Sequence, residues 1–250
     1  MKKTSILLFS LLTASHLLAA TPRPVISTAS LLDEMTDAQA AARWPDPPFT
    51  LKQVSSYDRS SKTPDNFDWF ANHDWSNFIR TEKVKTADGE RLECVMMDEA
   101  GPGAVVRFWA GGFTNLGVIR IYIDGAAEPV MSGTADEMIG GAKYFPEPFA
   151  AVRARGRNLY APIPYAKHIK ITYDGPRPPK PEEPGEEGFW YNINYRTYPA
   201  QTPVESFSLA ALPAIKKQMA TVARALSDPN QLPYKWSGTL QTQQTFKRQL

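Results

Sequence analysis

The chain has 250 residues, a formal net charge of +2 and a charged fraction of 22%, with both signs interspersed. That balance lacks the basic excess of a nucleic-acid binder, so no nucleic-acid partner is expected. The single cysteine, Cys94, excludes an intrachain disulfide and, within the apolar run Leu92 to Met97, reads as a buried structural thiol.

Lys2 and Lys3, an apolar run from Ile6 to Leu18 and the small pair Ala19-Ala20 form an export signal over 1–20. The run is short for a membrane span, so the mature chain is expected to be secreted or periplasmic, with no membrane contact after cleavage. About 230 residues remain, enough for one sizeable β domain or two small ones.

An arm over 21–50 follows. Ser30 to Met35 and Asp37 to Arg43 read as short helices capped by Ser30 and Asp37. Trp44-Pro45-Asp46-Pro47-Pro48 ends them, because proline lacks a donor and restricts its predecessor.

The next stretch is the densest in polar chemistry: Ser55 to Ser61, then Asn66-Phe67-Asp68-Trp69 and Asp74-Trp75-Ser76-Asn77. Buried without partners such a cluster would be costly. It is therefore either a well-satisfied loop network, since Asp, Asn and Ser dominate turns, or a surface that recognises a polar ligand such as a sugar. Arg59 is expected to face a concavity lined by Tyr57 and Trp75, with Asp58 accepting hydrogen bonds beside it.

From Arg91 the pattern turns to period two, clearest where Ile119, Ile121 and Ile123 share one face and Arg120 and Tyr122 the other. Gly103 to Trp109, Phe149 to Ala154, Leu159 to Tyr165, His168 to Tyr173 and Phe189 to Tyr198 read as further strands between Gly, Pro and Asp turns. Strand following strand predicts an all-β fold with flanking short helices, an antiparallel jelly-roll β-sandwich over 51–205. The proline- and glutamate-rich segment Pro176 to Gly188 reads as an exposed loop inside a hairpin. In the strand that follows, Phe189, Tyr191, Ile193 and Tyr195 share one face. Trp190, Asn192, Asn194 and Arg196 share the other, either a solvated sheet face or one that holds a sugar.

Pro213 leads into a C-terminal amphipathic helix with Ile215, Met219, Val222 and Leu226 along one stripe. The helical segment is placed at 206–228, with Asp228-Pro229-Asn230 stopping it, and 229–250 reads as a truncated tail.

Phosphate-loop, metal-spacing and nucleophile-elbow motifs are absent, so no cofactor or metal is expected. His168 reads as structural. Carboxylates are plentiful enough to supply the acid and nucleophile of a glycosidase, but only a separation near ~5 Å would make a retaining pair.

Three blocks, taken in order, carry a resemblance: Ser55-Ser56-Tyr57-Asp58-Arg59-Ser60 with Asn66-x-Asp68, then Glu99 to Trp109, then Arg120 to Gly125. From about Ser30 to Ala225 the chain resembles the domain-of-unknown-function 2961 family, now glycoside hydrolase family 172. The resemblance implies a jelly-roll subunit of a secreted, trimer-based homo-oligomeric enzyme acting on α-linked fructofuranosides or D-arabinofuranosides. The family pattern has two successive jelly rolls and keeps its catalytic glutamates in the second. The chain is therefore expected to be the N-terminal half, leaving its catalytic residues unknown and its own enzymatic activity uncertain. Ser132 to Met138, with Glu137, is read as the equivalent loop of the first roll. Tyr57, Asp58, Arg59, Asn66 and Asp68, with Trp75, are the candidate contacts to a furanoside-containing glycan, with Lys62 to Asp65 inserted among them. A non-catalytic carbohydrate-binding or assembly module is the alternative.

Overall fold

The computed structural model describes residues 24–74, 77–87, 89–112, 117–175 and 189–228. The export signal, the loop Pro176 to Gly188, the tail beyond Asp228, and Trp75 with Ser76 lie outside the described residues.

Two antiparallel sheets form a β-sandwich, as the alternating strands predict. One contains β1 (Thr50–Ser55), β11 (Phe189–Thr197), β4 (Gly103–Gly112), β8 (Gly156–Leu159) and β7 (Ala150–Arg153) in that order, with β9 (Ile163–Tyr165) also paired to β4. The other runs β2 (Arg80–Thr86), β3 (Gly89–Ala100), β10 (His168–Asp174), β5 (Val118–Ile123) and β6 (Met131–Gly133). The inner faces supply the core. Ile119, Ile121, Ile169, Ile171 and Tyr173 come from one sheet, Val105, Phe108, Tyr191, Ile193 and Tyr195 from the other. Cys94 is fully buried, and burial pushes its thiol up to about 11, so it packs as a small apolar group.

Several elements depart from the sequence reading. Helix α1 is Thr28–Glu34, capped by Ser27; Ser30 is its third residue and closes a capping box by returning its hydroxyl to the Ser27 N–H at 2.8 Å. No α-helix forms over Asp37 to Arg43, where only a 3₁₀ turn spans Ala40–Ala42. The Asp37 carboxylate bonds the Gln39 N–H and Arg43 instead, a local alternative to helical bonding. The expected strand Leu159 to Tyr165 is two pieces, because the chain leaves β4 after Leu159 and rejoins it at Ile163. Neither β1 nor β2, both edge strands, was anticipated as a strand. A short helix α2 (Ala135–Met138) sits where only a loop was read.

Helix α3 (Leu212–Ser227) confirms the amphipathic stripe: Met219 and Val222 are buried and Ile215 and Leu226 pack against the same core. It meets α1, whose Leu32 shares that core, and Gln218 donates to the Ala29 carbonyl at 3.0 Å and the Asp33 carboxylate at 2.6 Å. A bridge between Ile26 and Val204 adds a second tie between the chain's early and late segments. Among the described residues no helix is long and apolar enough to cross a membrane.

Candidate functional site

The polar segment after β1 is a knot. Ser56 extends the β1–β11 ladder, donating to the Tyr191 carbonyl and receiving the Tyr191 N–H on its hydroxyl, both at 3.1 Å. The chain then turns outward at Tyr57, and the knot is tied by groups from Ser55 to Ser61 together with His73, Asp74 and Asn77. The Asp58 carboxylate accepts from the Ser60 hydroxyl at 2.6 Å and from the Ser60 and His73 N–H groups at 3.0 Å. Those bonds, Ser60's first, hold its carboxyl below the usual aspartate range, so it is an acceptor rather than a proton donor.

Arg59 points back into the knot. Its guanidinium donates to the carbonyls of Asn77 at 2.7 Å and Ser55 at 3.0 Å, and lies over the Tyr57 ring 4.7 Å from the centroid. The Asn77 carbonyl also accepts the Tyr191 hydroxyl at 3.1 Å, anchoring the knot to the core. The Asn77 side-chain amide donates to the carbonyls of Ser56 and His73.

Asn66 and Asp68 stand on the adjacent 3₁₀ turn Phe67–Phe70. Asn66 caps that turn through the Asp68 N–H, leaving Asp68 exposed, and the Ser61 hydroxyl joins turn to knot through the Trp69 carbonyl. The turn raises aromatic side chains into solvent: Phe67 is 97% exposed and Phe70 87%. Tyr57 and Trp69 are exposed as well.

The structure thus gathers Tyr57, Asp58 and Arg59 into one network and sets Asn66 and Asp68 beside it. The sequence reading named Asp74 and Asn77 in the polar cluster but not among the candidate contacts, although both organise the knot, and it did not anticipate the exposure of Phe67 and Phe70. Composition marks the segment, but not which backbone groups its side chains seek.

A second polar constellation, unforeseen in the sequence, lies on the outer face of the β2–β6 sheet. Glu93 is fully buried there and accepts from Tyr122 at 2.9 Å, Thr172 at 2.7 Å and Arg91 at 2.6 Å. Burial raises the Glu93 carboxyl, yet bonds from Thr172, Arg91 and Tyr122 outweigh it and the net shift is downward. Burial and that carboxylate push Tyr122 up to about 12. His168 opens β10 in a structural setting, its Nε2 2.6 Å from Asp98, which also pairs with Arg80. Among the described residues no group of His, Cys, Asp and Glu is arranged to hold a metal ion.

Glu137 has a structural use. It and Thr134 form the capping box of α2, the carboxylate accepting the Thr134 N–H at 2.8 Å and lying 3.6 Å from the Lys143 ammonium.

The described residues form a two-sheet antiparallel β-sandwich with a polar knot at the end of an edge strand. Residues 47–214 match the GH172 first beta-sandwich domain, and the chain belongs to that family. A search of curated proteins returned no match.

Proposed function

We propose that this chain is the substrate-contacting sandwich of a secreted α-furanosidase-type protein, recognising furanoside-containing glycans through the surface around Tyr57, Asp58, Asn66 and Asp68. The observation that carries this reading is the family match over 47–214, which spans the knot and its aromatic rim. Exposed rings suit the apolar faces of sugar rings, while an ionised Asp58 and the exposed Asp68 are hydroxyl acceptors. Arg59 acts as a positioning residue, since its donors serve backbone carbonyls. The catalytic carboxylates are proposed to lie outside this chain, a reading supported by the capping role of Glu137.

A titration of the full chain with fructose and arabinofuranose oligosaccharides, followed by calorimetry, tests this reading. Saturable binding weakened by Tyr57→Ala and by Asp68→Ala is expected, and binding indifferent to both removes the assignment.

The 97% exposure of Phe67 supports an assembly role as well, because so large an apolar surface suits coverage by another chain. We propose a trimer-based assembly in which this turn is partly covered. Light scattering that finds a monomer unchanged by Phe67→Ser would refute it.

A further inference from the structure

Across the outer face of the six-stranded sheet, α1 leaves a groove built from three adjoining hollows of about 340, 260 and 320 Å³. The first and second share Glu34 and Arg196; the second and third share Met35 and Tyr160. The groove therefore crosses the sheet from β11 over β4 toward β7, roughly perpendicular to the strands. Trp44 stands at its first mouth, 88% exposed, and Tyr160 is 41% exposed midway. Arg196 forms the step between hollows, held by Glu34 through two bonds of 2.6 and 2.7 Å and stacked on Phe49 at 4.0 Å.

The charge pattern selects the ligand. Every arginine lining the groove already has a carboxylate partner: Arg43 with Asp37, Arg196 with Glu34, Arg153 with Glu147. An anionic ligand would have to break these pairs. A neutral, hydroxyl-rich chain would not, because both Glu34 oxygens keep lone pairs and Asp46 offers another acceptor at the Trp44 end. Exposed aromatic side chains spaced along an elongated, open-ended track suit successive sugar rings better than one enclosed small molecule.

We propose that this groove binds an extended neutral polysaccharide at a site separate from the knot after β1, holding the polymer while the knot engages a furanoside. The proposal rests on the carbohydrate reading of the chain but not on the knot's residues.

Affinity electrophoresis of the full chain in gels containing levan, dextran or carboxymethylcellulose tests it. The neutral polymers should retard the chain and carboxymethylcellulose should not. Trp44→Ala and Tyr160→Ala should each weaken retardation by about tenfold, whereas Leu92→Ser, at an exposed position of β3 in the other sheet, should be retarded like the parent. Retardation by the anionic polymer alone, or by none, overturns the proposal. So does retardation unaffected by either groove substitution. Loss of polymer binding in a Phe67→Ser/Phe70→Ser variant of the 3₁₀ turn, with the groove variants unaffected, would sink the groove and leave the knot standing. Oligosaccharide binding lost in Tyr57→Ala but kept in Trp44→Ala would count for the knot alone.

Discussion

Asp58 and Asp74 bind each other's neighbourhood reciprocally: the Asp74 carboxylate accepts the Asp58 N–H at 3.0 Å, while the Asp58 carboxylate accepts the N–H of His73, next in the chain to Asp74, at 3.0 Å. Two loop passes separated by sixteen residues are thus strapped together by carboxylates that each satisfy a backbone donor. Removing either strap should loosen the other. Asp58→Ala and Asp74→Ala are expected to cost about 1–2 kcal/mol each, and the double variant less than the sum. Urea unfolding of the three variants measures this; strict additivity would show the straps to be independent.

Arg59→Ala should destabilise the fold by about 2 kcal/mol, since two carbonyls lose charge-assisted donors and Tyr57 loses its stacked cation. Arg59→Lys should recover little, because a single ammonium cannot span the carbonyls of Ser55 and Asn77 as the fork does. A midpoint unchanged in both variants, with glycan binding lost, would reassign Arg59 to direct ligand contact.

The Glu93 carboxyl titrates below the ordinary glutamate value of 4.5 in the folded chain. Its stabilisation is therefore present above that value and is lost as pH falls through the folded one. Melting temperature should fall on acidification below about 4.5, and more steeply in the parent than in Glu93→Gln. At neutral pH, Glu93→Leu should cost about 3 kcal/mol by leaving the Tyr122 and Thr172 hydroxyls without their acceptor and removing one of the two carboxylates beside Arg91. Parallel pH profiles for parent and Glu93→Gln would contradict the network's role.

Much of the sandwich is legible because strands such as β5 and β11 alternate apolar with polar residues. Ile119, Ile121 and Ile123 alternate with polar residues, and Tyr191, Ile193 and Tyr195 repeat the pattern in β11. The edge strands β1 and β2 hide for the opposite reason. Edges carry charge that discourages further pairing, and Arg-Thr-Glu-Lys-Val-Lys-Thr in β2 has almost no apolar face to read. The start of α1 is misread by three residues because Ser27 and Ser30 are the two halves of one capping box and look alike as caps. In the knot, residue types announce a polar site, but their backbone partners stand 21 residues away for Asn77 and Ser56 and 135 away for Ser56 and Tyr191, which no spacing rule encodes.

Hydrolysis of aryl α-D-arabinofuranoside and of fructose disaccharides by this chain should stay at background, and Glu137→Gln should not change it. That substitution should instead weaken the first turn of α2, lowering thermal stability slightly. Turnover above background that disappears in Glu137→Gln would place the chemistry in this sandwich after all.

The pairing of β1 with β11 sets Val54 opposite Ile193, so the first strand stays without its neighbour through most of the chain's synthesis. Contacts of such sequence separation form slowly, since a long loop must close before they repay its entropy. A polypeptide that cannot complete its first sheet until its eleventh strand arrives remains threadable while it grows, which is the state a translocation channel requires of the exported protein proposed above.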